Sequence, residues 1–296
     1  MRYSINIENA KEESGKILFD RLYHLTNSCI KISEGALQIK LLGASKKRGR
    51  KSIDYSDALQ IRLVGIKDKS TALLVECDKF SDTLKNYQID AFQNDFFEHT
   101  PISVLMSCYK TVLEDENDAD VFVDKQLITE MKKFSEVFSK EGERIIFMNE
   151  GTVEDLVLTK SDVTKIKEIE EHIPEDQKIL ISGIVEELKY SQVRVKVQTD
   201  DGIVNAYLSN DFDKQSIANK WGKYVTLAGV MHYGLKGTKN FEILRMFDSD
   251  DNENLFFKEL PKQFVLIDKP TNNPLKKWKG SLKGFDDIQE ILKELD

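Results

Sequence analysis

Between Gln177 and Phe247 apolar and polar residues alternate in short runs, and glycine- or aspartate-rich turns separate several of them, a pattern that few folds satisfy. The runs are Ile179–Leu188, Gln192–Gln198, Ile203–Leu208, Tyr224–Tyr233 and Asn240–Phe247. Asp200–Asp201–Gly202 supplies the tight turn between the second and third. The segment from Gly234 to Gly237 does the same between the last two. Between the third and fourth runs, the polar stretch Asp211–Trp221 stops at Gly222, as helices commonly stop at a glycine. Three strands, a helix and two strands, each strand with one apolar face, predict a small closed barrel. Val193, Val195 and Val197 then face inward and turn Arg194 and Lys196 outward.

That order of elements is the order of an oligonucleotide/oligosaccharide-binding (OB) barrel. The rest of the chain is long enough for a second domain, since 296 residues exceed what one such barrel uses. Apolar content of 40% with 32% charged residues describes an ordinary globular protein. A net charge of −8 argues against a generic nucleic-acid coat and leaves room only for local basic patches. Cys29, Cys77 and Cys108 stand singly, without CxxC spacing, and read as reduced, buried thiols. No apolar run approaches the roughly 18 residues of a membrane span, and the N-terminus lacks a signal-peptide core. The expected compartment is the cytoplasm, with no membrane partner and no cofactor.

Residues 1–155 predict an α+β domain, because strands and helices mix without regular βαβ alternation. Met1–Glu8 reads as a short strand and Ser14–Asn27 as an amphipathic helix, with Ile17, Leu18, Leu22 and Leu25 at helical spacing. Ala36–Leu42 is apolar and fits either state. Tyr55–Gly65 and Ser70–Cys77 read as strands, Ile102–Leu113 and Asp124–Phe138 as helices, and Ile145–Met148 as a strand. Residues 156–176 are charged and read as a connector, helical over Val163–Glu171. The barrel fills 177–247, and 248–296 form a C-terminal segment ending in a tail helix.

Three stretches carry candidate function. Lys46, Lys47, Arg48, Arg50 and Lys51 surround Gly49, a loop able to neutralise several phosphates; it also reads as a solvated connection. On the barrel, Arg194 and Lys196 beside Tyr207 combine two cations with an aromatic, as OB folds do to track a strand and stack a base. In the tail, Phe285, Ile288 and Leu292 share a helical face that Ile291 widens, and Trp278 sits among lysines. An 11-residue helix is marginal alone, so this stripe needs a groove, its own or a partner's. Catalysis is poorly represented: the four histidines lie far apart and no phosphate loop is present. Asp57 on a strand with Glu76, Asp78 and Lys79 at the end of the next gives the nearest enzyme-like reading, a metal-dependent nuclease.

Several segments resemble those of uncharacterised bacterial OB-fold-containing proteins. They are Ser56–Gly65 followed by Lys69–Glu76, Asp124–Ile128 with Phe134, Gly183 with the Asp201–Gly202 turn, and Phe256–Pro261. The tail from Trp278 through Gly280 and Gly284 to Leu292 is similar to the C-terminal segments of antitoxins from toxin–antitoxin pairs. That resemblance implies a non-enzymatic, antitoxin-like protein restraining a partner, such as a PIN-type nuclease toxin, in bacterial defence. It implies that Trp278 and Phe285–Leu295 touch the partner, with Asp286, Asp287 and Glu290 approaching its cationic or metal-bearing site. A nucleic-acid-binding module for DNA or RNA is the alternative.

Overall fold

The computed structural model describes residues 1–247 apart from 11, 14, 46–52, 68–70, 85–93, 115–121, 150–153, 190–193, 210, 211 and 213. The chain divides into two compact units, Met1–Pro174 with Tyr233–Thr238, and Glu175–His232 with the residues from Lys239 on.

The first unit is built on a five-stranded antiparallel sheet of β1 (Arg2–Glu8), β2 (Arg62–Lys67), β3 (Thr71–Glu76), β4 (Arg144–Asn149) and β5 (Leu156–Thr159). Its order is β2-β3-β1-β4-β5. Register aligns the apolar residues on one face: Ile5 lies opposite both Leu73 and Phe147, and Ile7 opposite Ile145. All five residues are buried, as period-two alternation requires. The helices are α1 (Phe19–Leu42), α2 (Ile53–Ala58), α3 (Phe80–Thr83), α4 (Asn94–Phe97), α5 (Pro101–Leu113), α6 (Lys125–Lys132) and α7 (Lys160–His172). They meet the apolar face through specific contacts. Tyr3 and the α5 N-cap Thr100 share a 2.8 Å hydroxyl–hydroxyl hydrogen bond. Phe134 packs its ring against Phe147 of β4 and Tyr109 of α5. Burying each such ring contributes about 2–3 kcal/mol.

Two buried charged residues tie the unit together. Arg21 of α1 donates to the Val137 carbonyl at 2.8 Å, to Glu12 at 2.6 Å and to Glu143 at 2.8 Å. Asp124 caps α6 by accepting from Leu127 N and also accepts from both the amide and the hydroxyl of Ser45. A carboxylate with three donors at a helix N-terminus suits burial.

The structure corrects several expectations here. Tyr55–Gly65 is not one strand: α2 precedes β2, which places Asp57 on a helix. The first helix starts at Phe19, after an extended Leu18, and runs on through the undecided Ala36–Leu42. The second long helix gives way at Lys133 to a 3-10 turn through Val137, which turns Phe134 and Val137 inward. The supposed connector contains β5, paired with β4, and α7, which buries only Val163 and Ile166. Its remaining charge covers a solvent face, and the reciprocal Thr159–Asp162 capping box fixes its start.

In the second unit β6 (Gln177–Lys189), β7 (Arg194–Thr199), β8 (Gly202–Leu208), β9 (Tyr224–Tyr233) and β10 (Lys239–Phe247) close a barrel in the order β10-β8-β7-β6-β9. The short helix α8 (Lys214–Ala218) lies between the third and fourth strands. β8 and β10 pair in parallel, with Phe241 opposite Ala206. Mixed with antiparallel neighbours, this is the connectivity of an OB-like barrel. Val185, Val195, Val197, Leu227, Phe241 and Ile243 fill the interior. Closure brings backbones close at two glycines. A Cβ on Gly183 would sit 2.3 Å from the Gln198 carbonyl oxygen, and one on Gly229 1.9 Å from that of Glu242. No side chain fits at either position.

Candidate ligand-binding face of the barrel

With Val195 and Val197 fully inside, Arg194, Lys196 and Gln198 are turned to the barrel's exterior. Pairing sets Tyr207, Asn205 and Ile203 of β8 opposite them in that order. On the other side, Glu187 of β6 lies opposite Lys196, and Ile184 opposite Gln198. The outward rows of β6–β8 therefore combine cations, amides, an aromatic and two aliphatic residues.

Arg194 lies over the Tyr207 ring, its guanidinium carbon 5.8 Å from the centroid. One Nη of Arg194 donates to Asn205 Oδ1 at 3.4 Å, and its Nε finds no acceptor among the described residues. Tyr207 is on the outward side by register yet only 8% exposed, so its ring supports the guanidinium rather than standing open. Burial pushes the Tyr207 hydroxyl's pKa up, against the pull of Arg194, and keeps the ring neutral. Lys196 pairs with Glu187 at 2.6 Å, both side chains more than a third exposed. Ion pairs at that exposure are weak and exchange readily.

Among the described residues, the exposed aromatic of this barrel is Trp221, 68% accessible. It follows α8, bridges to Val185 of β6 and donates Nε1–H to the Glu186 carbonyl at 2.9 Å. Ile203 is 59% exposed. Neither stands out in the sequence: Trp221 falls at the end of the polar helical segment, and Ile203 reads as one residue of an apolar strand. The signal for Ile203 was present, because it shares parity with Tyr207.

The other expected residues fall elsewhere. Lys46, Lys47, Arg48, Arg50 and Lys51 lie outside the described residues, as do Trp278, Phe285, Asp286, Asp287, Ile288, Glu290, Ile291 and Leu292. The carboxylates of the nuclease reading are separately engaged. Asp57 accepts from Gln60, Glu76 lies 3.6 Å from Arg2, and Asp78 pairs with Arg62 at 2.9 Å. Lys79 is held by Glu98. Among the described residues no His, Cys, Asp and Glu gather as a metal-binding group. The three cysteines are buried and in no disulfide, and burial lifts Cys29 to about 12, which leaves it an inert thiol. Among the described residues no helix is long and apolar enough to cross a membrane.

One titratable cluster belongs to the barrel wall. His232 of β9 is buried, with Nδ1 2.8 Å from Asp176 and Nε2 3.4 Å from Glu242 of β10. Burial alone would lower its pKa. The hydrogen bonds to the two carboxylates outweigh that and raise it to about 9. An imidazole charged at neutral pH with both nitrogens engaged fastens β9 to its neighbours and is not available as a base.

Fold and face together describe an α+β protein with an OB-like barrel whose outer wall has exchangeable cations and an exposed indole. No protein-family model matches the chain, and neither a curated protein nor a solved structure does.

Proposed function

We propose that the chain is a binding protein whose barrel takes a single-stranded nucleic acid across β6–β8. The supporting observation is Arg194, seated on Tyr207, with Lys196 one outward position along, exposed Ile203 on the neighbouring strand, and an exposed indole, Trp221, bridged to β6. Unpaired bases gain from stacking on open aromatic surface, and phosphates exchange readily with the carboxylate on a half-exposed lysine. Duplex DNA offers no base faces to the indole, so a single strand is the better ligand. Restraint of a partner nuclease through the tail concerns residues outside those described, and no geometry supports it.

Fluorescence anisotropy at low salt with a labelled thymidine or uridine 12-mer tests this reading. Saturable binding is expected, with the logarithm of affinity falling with log salt at a slope of about −1.4, as two released counterions give. No binding of either oligomer at low salt overturns it.

A further inference from the structure

Among the described residues β2 ends the sheet and pairs with β3 alone, through a ladder whose register shifts between Leu63 and Gly65. Among the described residues, no backbone hydrogen bond reaches its other edge. None of its residues is buried, whereas Thr71, Ala72, Leu73 and Val75 of β3 are. Leu63, Val64 and Ile66 are 49%, 54% and 39% exposed, an apolar edge of the kind that proteins ordinarily cover or charge. At its Arg62 end opens a groove of about 560 Å³, lined by Ile30, Lys31 and Glu34 of α1, Tyr55 of α2, Leu59 and Arg62, the Glu34 carboxylate paired with Lys31 at 3.1 Å. Ile30 is itself exposed. An unused ladder edge next to a partly apolar groove is the geometry of strand addition, in which main-chain bonds give affinity and alternate side chains enter the groove.

We infer that β2 and this groove receive an extended segment of a partner protein, with apolar residues at alternate positions and carboxylates at its flanks. Charge decides the occupant. The strand begins at Arg62 and ends at Lys67. A second copy pairing antiparallel sets Arg62 against the copy's Lys67 at both ends, and like charges directly opposite are destabilising. An acid-flanked segment meets a cation at each end instead. Arg62 already shares its charge with Asp78, so Lys67 is the stronger discriminator.

The full chain is probed with an array of ten-residue peptides that alternate valine and threonine and carry glutamate or lysine flanks. Binding is followed by anisotropy and by amide hydrogen exchange. The glutamate-flanked set should bind at least fivefold tighter than the lysine-flanked set and slow exchange in Arg62–Lys67. Lys67→Glu should reverse that preference, and Leu63→Lys, at an exposed position, should abolish binding with circular dichroism unchanged. Three results overturn the inference: no slowing in β2 with any peptide, a dimer by light scattering that Leu63→Lys dissolves, or β2 amides already protected until residues 248–296 are removed. The second assigns the edge to another copy, the third to this chain's own tail.

Discussion

Two arginines, one in each unit, are held in opposite ways. Arg21 is 4% exposed and spends its guanidinium on a carbonyl and two carboxylates, each within 2.8 Å. Arg194 rests on an aromatic face, makes one long bond of 3.4 Å, and leaves its Nε without an acceptor among the described residues. The guanidinium has five donors in a fixed fork. Where the fold occupies the fork, the residue serves folding. Where the ring beneath orients it, the Nε is buried and only the Nη groups remain for an incoming acceptor. The same contrast separates Asp124, saturated by Ser45 and Leu127, from Glu187, which meets Lys196 at the surface.

The sharpest way to break this contrast is Arg21→Ala. It leaves the buried Glu12 and Glu143 without their cation, Glu143 keeping only backbone donors such as Ser139 N, and should cost about 3–5 kcal/mol in denaturant unfolding. Oligonucleotide affinity, measured on the folded fraction, should not change. Next in size, Arg194→Glu with Lys196→Glu should weaken oligomer binding by about 30-fold, about 2 kcal/mol, and flatten its salt slope. The melting temperature should stay within a few degrees, and a large drop would make Arg194 as structural as Arg21.

A third measurement uses pH. His232 is raised in the folded state from 6.5 to about 9, so its stabilisation is complete below pH 6.5 and lost as pH rises through 9. Allowing for the half-exposed Asp176, unfolding free energy should fall by about 2 kcal/mol across that window. His232→Gln should remove the dependence, and an unchanged slope in that variant would assign it to other groups. The smallest effect is expected from Glu187→Gln. It releases Lys196 and removes a negative charge from the face, so oligomer binding should tighten about two- to fivefold, under 1 kcal/mol. Weakened binding would show that Glu187 positions Lys196 rather than competing for it.

The barrel was legible because its signals agree. Alternation along β6–β10, the Asp201–Gly202 turn and the stop at Gly222 each point to the same order of elements. Strand parity gave the directions of Arg194 and Lys196, but not the burial of Tyr207, because parity says which side a residue takes and not what lies over it. The first unit was harder to read. Tyr55, Leu59, Ile61 and Leu63 alternate as a strand does, while Tyr55, Ala58 and Leu59 fit the i, i+3, i+4 spacing of a short helix, and tertiary packing decided for α2. In α7 Val163 and Ile166 are two buried residues among many charges, too thin a stripe to distinguish a packed helix from a linker. Trp221 was missed because its exposure depends on the bridge to Val185, a contact far away in sequence.

The parallel seam between β8 and β10 has one further consequence. As one seam of a closed ring it helps leave the barrel without a free strand edge among the described residues, so substitutions at positions such as 194, 196, 203 and 205 alter chemistry without baring hydrogen-bonding backbone. Such a wall can be retargeted to a new ligand a few side chains at a time while the scaffold beneath stays intact.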